Sequence, residues 1–140
     1  MSAPATSTAF EVAQGIGTSV EGPALVSPVP FSARYDLDRD KGIISRVGHP
    51  LRGASIAGAI FICPAVQGGV AAGWTFLKLN ALNVGIRALV FGRTNPVMVQ
   101  GAQAAGIPIV AGVDPTLFDV VRNGMVVRVE PAARRVVLVR

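Results

Sequence analysis

The chain predicts an α/β domain in which a barrel-like β layer is joined to parallel βα units. Three observations carry this. Apolar runs of strand length alternate with helix-spaced segments between residues 56 and 122, whereas residues before 30 and after 125 read only as strands. In addition, 51% of the 140 residues are apolar and 15% are charged, which suits a packed core and excludes a disordered chain. A chain of this length buries roughly two-thirds of its unfolded surface as one domain.

Residues 1–8, MSAPATST, lack the basic start and apolar centre of a secretory signal. They are expected to form a flexible tail ahead of a single domain over 9–140. Strands are expected over 10–14 and 20–27, broken at Gly15, Gly17 and Gly22-Pro23, with Pro28 and Pro30 ending the second. Residues 31–53 form a long irregular connection with turns at Asp40-Lys41-Gly42 and His49-Pro50. Loops of that length inside a compact domain are uncommon and often functional.

The second half alternates. A strand over 56–63 leads to a helix over 71–82 whose single charge is Lys78, so both of its faces are expected to be covered, with Trp74, Phe76 and Leu77 as core or subunit contacts. A strand over 88–91 precedes a helix over 96–105, started by Asn95 as cap with Pro96 at its first position and stopped by Gly106. A strand over 108–111 and a short helix over 115–122, capped by Asp114, follow. Strands over 125–129 and 135–139 close the chain as a hairpin around 130–134. The alternation implies right-handed parallel crossovers.

Several functions are excluded by composition. The formal charge is +5, but the thirteen cations are scattered, and Arg134-Arg135 is the one adjacent pair. Arg34, Arg39 and Lys41 alternate with Asp36, Asp38 and Asp40, and one Trp and one Tyr give no stacking platform. A nucleic-acid partner is not expected. No apolar run reaches the ~18–20 residues that span a bilayer, so a cytoplasmic protein without a membrane partner is expected. Cys63 is the sole cysteine and His49 the sole histidine. This chain alone therefore binds no zinc or iron–sulfur cluster in the usual way and forms no internal disulfide. Cys63 reads as a small buried hydrophobe, and no nucleophile-elbow sequence accompanies a triad based on His49.

The candidate site lies at the carboxyl ends of two strands, where open α/β sheets gather ligands. Residues 63–73 read CPAVQGGVAAG, a strand, a tight loop and a helix start. Gly68 and Gly69 leave backbone N–H groups uncovered where the helix dipole favours an anion. The loop holds no Ser, Cys, His, Lys or carboxylate after the strand, so it can cradle a carboxylate or phosphate but supplies no side chain for chemistry. The next loop adds Arg93, Thr94 and Asn95 to Gln67 and the glycine amides. Arg93 is either a bidentate anion fork or a solvated surface residue, and Asn95 either a ligand contact or only a helix cap. The long connection adds Ser32, Arg34, Tyr35, His49 and Arg52. Arg34 meets either the substrate or the aspartates beside it. His49 is either a structural hydrogen-bonding residue or a candidate general acid.

At these residues the chain resembles the small subunit, or swivel domain, of the aconitase X family of hydro-lyases. The shared run is Glu21-Gly22-Pro23-Ala24-Leu25-Val26-Ser27, Gly42-Ile43-Ile44, His49-Pro50-Leu51-Arg52-Gly53, Ser55-Ile56-Ala57-Gly58, Pro64 with the glycine loop, Gly106-Ile107-Pro108-Ile109-Val110 and Asn123-Gly124. The resemblance implies a swivelling β/β/α domain that docks on a larger, cysteine-bearing subunit holding an iron–sulfur cluster, with the active site between the two. It further implies dehydration of a small hydroxy acid or phosphorylated hydroxy acid; phosphomevalonate and cis-3-hydroxyproline are substrates known in the family. One departure matters. Where the family carries an arginine and then a serine-rich run that resembles the base of aconitase, this chain has Gln67 and then Gly69, Val70 and Ala71. The serine base is not transferred. His49 acts instead, or the partner supplies the base, or the substrate differs, or activity is lost. The expected protein is thus a dehydratase subunit inactive alone, and its rival is a binding or regulatory swivel module.

Overall fold

The computed structural model describes residues 8–67 and 72–139. Its amino-terminal segment is two strands rather than one. β1 (Thr8–Glu11) and β2 (Gln14–Ile16) are separated at Val12 and Ala13, because the chain changes neighbours there. β3 (Val20–Val26) follows as expected. The long connection contains α1 (Ala33–Asp36) and a small ribbon of β4 (Leu37–Asp38) and β5 (Ile43–Ile44), turned at Gly42 with φ +65°.

The strand expected over 56–63 is β6 (Ile60–Ala65), displaced toward the loop. Residues before it are spent on a turn in which Gly58 has φ +67° and Ala59 N–H donates to Ile56 O at 3.1 Å. Then come α2 (Ala72–Ala81), β7 (Ala88–Arg93), α3 (Pro96–Ala104), β8 (Ile109–Ala111), α4 (Leu117–Val120), β9 (Val126–Glu130) and β10 (Arg135–Leu138).

Eight strands form one sheet in the order β1-β10-β9-β3-β6-β7-β8-β2. The run β3, β6, β7 and β8 is parallel, as βα units require. β3 is a corner. Val20–Pro23 pair antiparallel with β9, and Ala24–Val26 pair parallel with β6. The two edge strands are pieces of one segment. Val12 N–H donates to Arg134 O and Ala13 N–H to Ala111 O, both at 3.0 Å, so the sheet curls round into a barrel-like layer. The seam is tight: a Cβ on Gly15 would lie 2.7 Å from Pro131 O.

Strand alternation sends side chains into two cores. Ile60 and Ile62 of β6 face the inside of the curl with Phe10, Val90, Val127 and Val136. Phe61 and Cys63 face the other side with Leu89 and Phe91, packed by Phe76 and Leu79 of α2, Met98 of α3 and Phe31, Ile44 and Ile56. Phe31 and Phe61 meet edge to face with centroids 4.8 Å apart. The long connection is therefore a third side of this second core.

α2 departs from expectation. Phe76 is buried, but Trp74 is 79% exposed and Leu77 42%, so one face is open in this chain. The aspartates of the alternating segment also find distant partners. Lys78 Nζ lies 2.5 Å from Asp40, and Arg46 Nε lies 3.1 Å from Asp36. Among the described residues no helix is long and apolar enough to cross a membrane.

Candidate functional site

The parallel pairing of β6 with β7 sets Ala65 opposite Arg93, so the loops leaving both strands start side by side. Gly92 permits this approach, since a Cβ there would lie 2.6 Å from Pro64 O. The long connection folds onto the same edge. Phe31 N–H donates to Ala65 O at 2.9 Å, and Gln67 N–H donates to Phe31 O at 2.7 Å. Three segments, 31–36, 64–67 and 92–95, thus converge at one end of the sheet.

Ser32 starts α1, with its Oγ accepting the Tyr35 N–H at 3.4 Å. This one-turn helix holds residue 34 next to the β6 loop, but the Arg34 side chain lies outside what the structure describes. Gly68 and Gly69 also lie outside the described residues. Gln67 and Arg93 are exposed at the converging edge. Asn95 caps α3: its Oδ1 accepts the Met98 N–H at 2.8 Å.

His49 is placed differently from a surface acid or base. It is buried, and Nδ1 accepts the Leu51 N–H at 3.0 Å. The neutral ring therefore carries its proton on Nε2, which has no hydrogen-bond partner among the described residues and lies 4.0 Å from Asp36 Oδ2. Burial pushes the imidazole pKa below its usual value, against the opposing pull of Asp36. In this arrangement the one basic nitrogen is occupied and no face of the ring is open to a substrate. Asp36, fully buried, also accepts the Ser32 N–H at 2.8 Å, so it holds the start of α1 while facing His49 without a hydrogen bond to it.

This cluster, with Asp36 and His49 buried and Arg46 exposed, was not legible in the sequence, where nothing separates Asp36 from Asp38 and Asp40. Cys63 packs behind the same loop. Its Sγ lies 3.0 Å from Ala65 O and 3.2 Å from Val29 O, and burial pushes the thiol up to about 11. It stays protonated and unreactive. Among the described residues no group of three His, Cys, Asp or Glu could hold a metal. With one cysteine, buried and neutral, the chain does not fit an iron–sulfur cluster. Among the described residues, the edge offers an exposed guanidinium at Arg93 and an exposed carboxamide at Gln67, groups suited to an anion.

Comparison with known proteins gives three concordant results. The family model of the aconitase X swivel domain matches residues 10–139. The phosphomevalonate dehydratase small subunit of Pyrococcus abyssi is 31% identical over 127 residues, covering 90% of this chain and 95% of that protein. The protein of the same description from Methanothrix thermoacetophila is 32% identical over 123 residues, 88% of each. The crystal structure of Thermococcus kodakaraensis aconitase X in its holo-form superposes with a TM-score of 0.86 at 28% identity, over 95% of this chain and 99% of that one.

Proposed function

Because the chain belongs to the aconitase X swivel-domain family, we propose that it is the small subunit of a hydro-lyase and turns over only with a larger subunit. The observation that carries this reading is the match to dehydratase small subunits along nearly their whole length, joined to a site edge that can grip but, among the described residues, holds no exposed base. The proposed substrate is a small hydroxy acid or phosphorylated hydroxy acid, with phosphomevalonate the first candidate since relatives carry that name.

Elimination of water breaks a C–H and a C–O bond: a base takes the proton and the electron pair expels the hydroxyl, which leaves more readily with an acid beside it. The resemblance assigns the Lewis acid to an iron–sulfur cluster in the partner. This chain's share is binding. Arg93 and Gln67, with the backbone of Gly68 and Gly69, hold the anionic group. The 31–36 segment closes the edge from the other side, and Asp36, bonded to Ser32 N–H and paired with Arg46, keeps that segment in place.

The test is co-expression with a candidate larger subunit. The reading expects a stable, iron-containing complex that dehydrates phosphomevalonate or a related hydroxy acid, and no iron or turnover from this chain alone. Turnover by the isolated chain would overturn the division of labour. The absence of serine from the run Gln67-Gly68-Gly69-Val70-Ala71 favours a second reading, a binding or regulatory module, which predicts a complex that forms but gains no activity from this subunit.

A further inference from the structure

One flank of α3 faces β2. A cavity of about 440 Å³ opens there, with carboxamides from Gln14 of β2, from the α3 cap Asn95 and from Gln100 and Gln103 of α3 on its wall. Gln100 and Gln103 are one turn apart on the same helix face. Beneath it lies a pit of about 40 Å³ between α3 and the β8–β2 edge, lined by Val99, Ile109 and Ala111. Gln14, Thr94 and Val99 line both spaces.

Thr94 supplies the anomaly. Its Oγ1 is buried with no hydrogen-bond partner among the described residues. A buried hydroxyl left unpaired is costly, and native proteins rarely leave one so without a reason. The pit beside it is large enough for one polar group of water size, and the outer cavity has the volume of a small-molecule site. Among the described residues, neither space is lined by any Asp, Glu, Lys, Arg or His. A charged guest would lose its hydration with no counter-charge to replace it, whereas carboxamides and a hydroxyl can both donate to and accept from a neutral one.

We propose that this cavity binds a small uncharged molecule carrying a terminal hydroxyl or primary carboxamide, whose polar end enters the pit and pairs with Thr94 Oγ1. The site adjoins the anion-gripping edge through Thr94 and Asn95 of the 92–95 segment but does not rest on the dehydratase reading.

The test uses the full chain, ¹⁵N-labelled, titrated with four probes of one size: 1,2-propanediol, propionamide, propionate and propylammonium. The neutral pair should give saturable shifts at Thr94, Gln14 and Gln100, and the charged pair should bind at least tenfold more weakly. Thr94→Ser, which keeps the hydroxyl, should retain binding. Thr94→Val should weaken it at least tenfold while the spectrum stays that of a folded chain. Gln103→Leu, on an exposed position, gives a second weakened variant should Thr94→Val fail to fold. Equal binding of propionate, binding untouched by these substitutions, or no saturable response to the neutral probes would overturn the proposal, the last meaning that the pit holds water only.

Discussion

Asp36 carries more of the site's architecture than any side chain that faces solvent there. Its carboxylate accepts the Ser32 N–H, pairs with Arg46 and faces the buried His49. Asp36→Ala leaves the buried Ser32 N–H without its acceptor, at about 1–3 kcal/mol, while the exposed Arg46 returns to solvent. The unfolding free energy in a urea titration should fall by about that amount, and 31–53 should open to proteolysis. His49 makes the same cluster sensitive to pH. Its folded pKa is depressed below the ordinary 6.5, so over the interval just below 6.5 the unfolded chain binds a proton that the folded chain refuses. Stability is complete above that value and falls as pH drops toward the folded pKa. Urea midpoints should decline on acidification in this window, and His49→Asn, which keeps an acceptor for Leu51 N–H without titrating, should flatten the decline. A midpoint indifferent to pH in the unsubstituted chain would mean that the ring is not buried as a neutral group.

At the scale of elements, the two site loops are held together by a glycine and one of them starts with a cap. Gly92→Ala would set a methyl 2.6 Å from Pro64 O, against backbone that cannot step aside. The β6 and β7 ends must then spread, at roughly 1–3 kcal/mol, and anion affinity at the edge should fall with stability. Asn95 separates capping from binding. Asn95→Asp keeps an acceptor for Met98 N–H and a favourable charge at the helix start, so the thermal midpoint should hold or rise. The added negative charge should nonetheless weaken an anionic ligand, and unchanged affinity would reduce Asn95 to a cap. α3 was legible in the sequence because its signals are local: Asn95-Pro96 at one end and Gly106, at φ +71°, at the other. β1 and β2 were not, because no local pattern announces that Val12 and Ala13 hand the chain from β10 to β8. The site divides in the same way. The convergence of the loops near Gln67 and Arg93 follows from βα order, whereas the burial of His49 beside Asp36 is set by tertiary packing alone.

For the whole molecule, the consequence of that hand-over is that one short segment joins both ends of the sheet. β1 covers the β10 edge, β2 covers the β8 edge, and Phe10 and Val12 between them fill the inner core. Phe10→Ala alone removes about 3–5 kcal/mol, a large part of the 5–15 kcal/mol typical of a domain. Deleting residues 1–13 goes further, since it also strips the hydrogen-bonded partner from β10 and exposes a flat strand edge that favours aggregation. The shortened chain should show no cooperative thermal transition, although every loop of the candidate site and both helices that flank it are intact. Supplying residues 8–13 as a peptide should restore the transition, because strand addition to an open edge recovers the same ladder and the same buried Phe10. A sharp transition in the shortened chain without peptide would show that the parallel β3-β6-β7-β8 unit and its helices are stable by themselves. The curled seam would then be an accessory, and not the condition for holding the two site loops in register.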